Sequence, residues 1–287
     1  MFETLPWAIL LMAGVAAVMG LGLGIAAKKL AVKPDPRVQK ILGYLPGANC
    51  GGCGFPGCAA YADAMVKKGV APNLCAPSSP GAKKKIAQTL GLEAADETPK
   101  VAVVRCRVGA DPDWIKYDYE GMPGCKNANL LAKGAGSCDF GCLGLLDCVA
   151  ACPFDALHAN PDPTKPPVVD IDTCTGCGQC VKACPKGVIA LLPKKRIPYI
   201  ACRSPLKGKT AKGDCKVACI ACAQCQRKCP EKAITMVNNL PVIDYDKCTA
   251  CGTCVETCKP KCILWLEPGE ESPALAAASS AGEKEEA

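Results

Sequence analysis

The chain has 287 residues, of which 25 are cysteine and one, His158, is histidine, while aromatic residues make up 5%. That composition excludes a metalloenzyme built on imidazole and acid–base catalysis by a histidine network, and cysteines mostly two or three residues apart are too close for a disulfide scaffold. The net charge of +7 suggests nucleic acid, but no aromatics interleave with the basic residues, and the count takes every thiol as neutral.

The first predicted element is an uncharged run over 5–27, LPWAILLMAGVAAVMGLGLGIAA. As a helix it spans about 34 Å, enough to cross the hydrocarbon of a bilayer. Glu3 stands before it and Lys28 and Lys29 behind it. The positive-inside rule then sets everything after residue 28 in the cytoplasm, where thiols stay reduced and available as ligands. The alternative is a cleaved signal peptide, but the run is long for one and no Lys or Arg precedes it. Gly20 and Gly24, with small residues upstream, form a face suited to packing on another membrane helix. KPDP at 33–36 reads as a stiff linker.

A first domain over 33–92 carries NCGGCGFPGC at 49–58. This supplies Cys50, Cys53 and Cys58, and Cys75 follows after 16 residues. Glycines between the thiolates let the backbone close round a cube and point amides at its sulfurs. Four local ligands predict a single-cluster site, with a four-cysteine zinc site as the alternative. A polar linker at 94–100 leads into VAVV at 101–104, read as a strand.

From there the chain repeats, which implies two copies of one module, over 100–195 and 196–268. Cys125, Cys138, Cys142, Cys148 and Cys152 fall on Cys202, Cys215, Cys219, Cys225 and Cys229 at a constant offset of 77. Cys174-x2-Cys177-x2-Cys180-x3-Cys184-Pro185 is the bacterial ferredoxin run, in which three thiolates hold one cubane and the fourth reaches the neighbouring one. The spacing recurs at Cys219, Cys222, Cys225 and Cys229, and at Cys248, Cys251, Cys254 and Cys258.

The first run of the pair is irregular, with Leu145 where the repeat has Cys222, so Cys138 is expected to supply the missing ligand. The predicted sets are Cys138, Cys142, Cys148 with Cys184, and Cys174, Cys177, Cys180 with Cys152. In the last module they are Cys219, Cys222, Cys225 with Cys258, and Cys248, Cys251, Cys254 with Cys229. Five [4Fe-4S] clusters use 20 cysteines and leave Cys106, Cys125, Cys202, Cys215 and Cys262. A sixth cluster on the first four of these is arithmetically open, and Cys262 is a substitute for Cys258. Five cubanes with their thiolates contribute about −10 and turn +7 into roughly −3, which removes the case for nucleic acid. The tail over 269–287 is Ala, Ser, Glu and Lys without an apolar face and is expected to be disordered.

The fold class read from these elements is α+β: an N-terminal transmembrane helix over 1–28, a small helical single-cluster domain, and two tandem ferredoxin-like modules. The apolar run with Lys28–Lys29 behind it, NCGGCGFPGC, and CLGLLDCVAACPFDAL at 142–157 together resemble the B subunits of the Rnf family, over about residues 1–266. Members are parts of an ion-translocating ferredoxin:NAD oxidoreductase, and this chain is similar to the longer forms with a second ferredoxin pair. The resemblance implies a translocase component of the inner membrane that takes electrons from reduced soluble ferredoxin on the cytoplasmic face. It would pass them to other membrane and peripheral subunits, with Na⁺ or H⁺ pumping and no catalytic residue of its own. Lys83–Lys85, Lys194–Arg196 and Lys207, Lys209 and Lys212 could steer an acidic ferredoxin. An iron–sulfur component of another membrane oxidoreductase, or a zinc-stabilised scaffold, are the alternatives.

Overall fold

The computed structural model describes residues 5–29, 35–92, 98–108 and 114–269. Glu3, the start of the 33–36 linker, most of the 94–100 linker and the tail from 270 lie outside the described residues.

The helix α1 (Leu5–Lys29) is 25 residues long and ends on Lys28 and Lys29. Its described apolar side chains, from Trp7 to Ile25, are exposed. The expected transmembrane anchor is met only in part. Among the described residues no helix is long and apolar enough to cross a membrane.

Three helices build the next domain: α2 (Pro36–Leu42), α3 (Cys58–Lys68) and α4 (Pro80–Leu90). Asp35 and Ser79 cap α2 and α4, each followed by a proline already set to helical φ. Left-handed Gly69 and Gly91 end α3 and α4. Ile41, Tyr61, Met65, Ile86 and Cys75 form the shared core, each large apolar side chain contributing about 1.5–3 kcal/mol by burial.

The remainder is one arrangement built twice. The first copy runs β1 (Lys100–Val104), α5 (Cys125–Leu130), α6 (Asp147–Ala150), β2 (Leu157–His158), β3 (Val168–Val169), α7 (Gln179–Ala183), β4 (Ile189–Pro193). The second runs β5 (Ile197–Ile200), α8 (Gly208–Asp214), α9 (Gln224–Lys228), β6 (Ile234–Val237), β7 (Leu240–Ile243), α10 (Thr253–Thr257), β8 (Ile263–Leu266). In each copy the outer strands pair antiparallel, Val101 opposite Leu192 and Ile197 opposite Leu266, and the inner two form a hairpin.

Side-chain alternation along β1 joins the copies. Ala102 faces its own module's core beside Cys148 and Cys180, while Val101 and Val103 pack on Ile197 and Leu266. Arg105 reaches across, its Nε donating to the Ile200 carbonyl at 3.1 Å. The first domain docks on α7. Gln179 Nε2 donates to the Cys50 carbonyl, and Lys182 Nζ to that of Gly51 at 3.3 Å. A Cβ at Gly52 would lie 2.7 Å from the Cys177 carbonyl oxygen, so only glycine permits this approach.

Candidate metal centres

In the second module the thiols gather round two hollows. One, of about 350 Å³, is lined by Cys219, Cys222, Cys225 and Cys258, with Cys262 behind them. The other, of about 340 Å³, is lined by Cys229, Cys248, Cys251 and Cys254. Local backbone geometry brings this about. The residue two before the third cysteine of each run is left-handed: Leu146, Gly178, Ala223 and Gly252. That bend turns the loop into a single helical turn carrying the buried third cysteine. The turn then stops on an extended C-cap, which is Cys184, Cys229 or Cys258 itself. An extended fourth cysteine leaves its own run and reaches the neighbouring hollow. Left-handed Leu146 and Ala223 each cost about 1 kcal/mol or more, which binding at the thiols would offset.

In the first module Cys174, Cys177 and Cys180 are mutual neighbours, with Cys152 beside Cys177. Burial pushes the Cys180 thiol up to about 12, with Cys174 and Cys177 adding to the rise. Cys177 is raised by burial and then by Cys50, Cys152 and Cys174. Backbone N–H groups of Ala102 and Ala156 donate to the sulfurs of Cys174 and Cys152 at 3.4 and 3.3 Å.

A hollow in this module, about 370 Å³, is lined by Cys125, Cys142, Cys148 and Cys184. This departs from the set expected with Cys138. Cys125 fills the place left by Leu145, and Asp147 fixes it there: the carboxylate accepts the N–H of Cys125 at 2.9 Å and of Lys126 at 3.1 Å. Cys138 instead lines a hollow of about 530 Å³ between the modules, together with Cys106, Cys202 and Cys215. Burial, and then those same three thiols, push the Cys138 thiol up to about 11. The expected grouping of Cys106, Cys125, Cys202 and Cys215 is thus altered by one exchange, Cys138 for Cys125.

Cys262 occupies the place that Val188 holds in the first module. Residues 105 and 201 donate their backbone N–H groups to the carbonyls of Val188 and Cys262 at 2.7 Å each, and both side chains are buried. Contact with Cys219 and Cys258, and then burial, push the Cys262 thiol up, and its sulfur lies 3.5 Å from that of Cys258.

In the first domain Cys53 and Cys58 pack against buried Cys75. Asn49 Oδ1 accepts the Cys58 N–H at 2.8 Å. The Tyr61 hydroxyl donates to the Ala71 carbonyl at 2.7 Å and accepts the Leu74 N–H at 3.2 Å, pinning the loop that delivers Cys75. Cys50 lies at the docking face beside Cys177.

Among the described residues no group of three or more His, Cys, Asp and Glu could hold a metal ion as the side chains stand. Groups of four or five thiols line hollows instead. All-sulfur donor sets with amide N–H groups on the sulfurs suit iron–sulfur cubanes. The fold and these sites define an iron–sulfur electron carrier with several clusters.

Family models agree: "Putative Fe-S cluster" matches 45–77, and "4Fe-4S dicluster domain" matches both 137–188 and 213–259. The chain belongs to the family of B subunits of the Rnf complexes. It is 44% identical over 260 residues to the B subunit of the Na(+)-translocating ferredoxin:NAD(+) oxidoreductase complex of Acetobacterium woodii, covering 89% of this chain and 78% of that one. The B subunit of the ion-translocating oxidoreductase complex of Methanosarcina acetivorans is 41% identical, over 89% and 96% of the two chains. Its counterpart in the proton-translocating ferredoxin:NAD(+) oxidoreductase complex of Clostridium ljungdahlii is 37% identical, over 94% and 95%.

Proposed function

We infer that this iron–sulfur component of an ion-translocating ferredoxin:NAD oxidoreductase works as a cluster relay, taking electrons from reduced ferredoxin and delivering them through its first domain to membrane partners. Its ligand sets are Cys50, Cys53, Cys58 and Cys75; Cys152, Cys174, Cys177 and Cys180; Cys125, Cys142, Cys148 and Cys184; Cys219, Cys222, Cys225 and Cys258; and Cys229, Cys248, Cys251 and Cys254. Each would hold a [4Fe-4S] cluster, which supplies one-electron storage. The observation that carries the reading is the adjacency of successive sets. Cys50 neighbours Cys177, Cys148 neighbours Cys180, and Cys225 neighbours Cys254.

Charge supports an acidic protein docking at the second module. Lys207, Lys209 and Lys212 along α8, and Arg227 and Lys228 on α9, are exposed. Of these, Arg227 lies against exposed Cys222, whose carbonyl accepts from it at 3.2 Å. Lys194 and Arg196 are occupied instead, in ion pairs with Asp172 and Glu267. The uncharged 5–27 run, its exposed apolar side chains and Lys28–Lys29 support α1 as a single membrane anchor with the thiol-bearing modules in the cytoplasm.

The test is anaerobic mixing of the full chain, in detergent, with reduced ferredoxin. Bleaching of its visible iron–sulfur absorption, with a rate that falls as salt rises, is the expected result. A colourless zinc protein, or clusters that ferredoxin does not reduce, would contradict it.

A further inference from the structure

We infer that Cys262 is a positioning residue and not a ligand: its S–H donates to the ligand sulfurs of Cys258 and Cys219 and makes the cluster they hold easier to reduce. This rests on the ligand sets and the relay proposed above and deepens them, because it separates two sites that duplication of one module would otherwise leave alike.

The turn that follows each ferredoxin run sets this thiol apart. Four residues beyond the closing cysteines Cys152, Cys184, Cys229 and Cys258 stand Ala156, Val188, Ala233 and Cys262. All four are buried, and each follows a residue with left-handed backbone, namely Asp155, Gly187, Lys232 and Lys261. One turn is thus built four times, and at three of the four places its buried end is apolar. Only Cys262 brings a side-chain proton there. Burial alone does not call for a thiol, since Val188 meets the same packing need.

Placement aims the thiol at the ligands. Val188 lines the hollow of about 370 Å³ with Cys142, Cys148 and Cys184. Cys262 lines the equivalent one, of about 350 Å³, with Cys219, Cys225 and Cys258. Its sulfur is 3.5 Å from that of Cys258, within reach of an S–H···S hydrogen bond, and it touches Cys219 as well. The backbone fixes it there. The Lys261 N–H donates to the Cys258 carbonyl at 2.9 Å, and the Ala201 N–H to the Cys262 carbonyl at 2.7 Å. Arg107 Nη1, from the first module, donates to the Lys261 carbonyl at 2.6 Å.

A thiolate bound to iron has no proton left and can only accept. With Cys219 and Cys258 both bound, Cys262 is the one thiol of the three that can donate. The single electron taken from reduced ferredoxin makes and breaks no bond, and it adds negative charge that the ligand sulfurs share. A donor on those sulfurs is held more strongly after reduction than before it, so it raises the potential. Val188 offers Cys142, Cys148 and Cys184 no such donor. The favoured site is the one that also holds exposed Cys222, which suits it to capture electrons at the surface.

The test is redox-poised EPR with iron analysis of the full chain, in detergent, for the wild type, Cys262→Val and Val188→Cys. Cys262→Val should keep its iron while one reduction step moves to lower potential, the reduction constant falling about three- to tenfold. Val188→Cys should raise a different step by a similar factor at an unchanged iron count. Loss of one cluster's iron in Cys262→Val would make Cys262 a ligand, and unmoved steps would leave it as packing. Either result overturns the inference while the relay stands, since the relay fails only if the wild-type chain lacks clusters that ferredoxin reduces. Should Cys262→Val lose most of its iron through misfolding, Val188→Cys decides, and a step that does not rise there overturns the inference.

Discussion

Leu145 and Cys125 show how far single residues could be read. The spacing of the ferredoxin runs is enough to group most thiols, because three ligands two residues apart have only one way to wrap a cube. The irregular run is different. A constant offset of 77 sets Cys125 on Cys202 and makes Cys138 the nearest spare thiol for the gap at Leu145. In space the equivalent of Cys202 is Cys106, fixed by the strands β1 and β5 at an offset of 96. Cys106 and Cys142 stand 36 residues apart where Cys202 and Cys219 stand 17 apart. The extra chain carries Cys125 back to the gap. A match of VVRCR at 103–107 with YIACR at 199–203 was the available signal. At this scale Cys125→Ala should cost about four irons, or one if a three-iron form survives, read by iron analysis and EPR of the oxidised protein. Cys262→Val should keep the full count, since Val188 fills the same place; loss of a cluster there would make Cys262 a ligand.

Among elements, the strands explain why metal must hold the modules. β2 and β3 are two residues long and no strand exceeds five among those described, well short of independent stability. Thiolate–iron bonds then supply folding free energy directly. Oxidative loss of the clusters should abolish most of the strand signal in circular dichroism while the helix signal of the first domain falls less. Retention of the whole spectrum would show that apolar burial suffices. The strand at 101–104 and the helical character of 5–27 were legible, since apolar runs of those lengths have few other solutions. The docking of the first domain on α7 was not, because it rests on two backbone carbonyls and a missing Cβ rather than on a sequence pattern. Gly52→Ala should weaken that docking by about 1–3 kcal/mol through overlap with the Cys177 carbonyl. The measurement is faster hydrogen exchange over 177–183 with an unchanged iron count; unaltered exchange would mean that the domains do not rely on this contact.

Across the whole molecule, the formal charge of +7 belongs to a protein without clusters. Filled sites make the thiol-bearing interior negative and leave the exposed basic groups of α8 and α9 as a local attraction for an acidic partner. Reversing Lys209 and Lys212 to Glu should slow reduction by ferredoxin about tenfold at low salt and much less at high salt, by stopped-flow absorbance. The same loss at every ionic strength would point to misfolding rather than steering. The central claim is that the thiol sets form one connected relay. A redox-poised EPR titration of the full chain tests it most directly. On full reduction the signal should integrate to five or six spins per chain, about one per cubane. It should also be broadened by magnetic coupling between neighbouring clusters. Fewer than five spins, or narrow signals of isolated clusters that saturate independently, would contradict the relay.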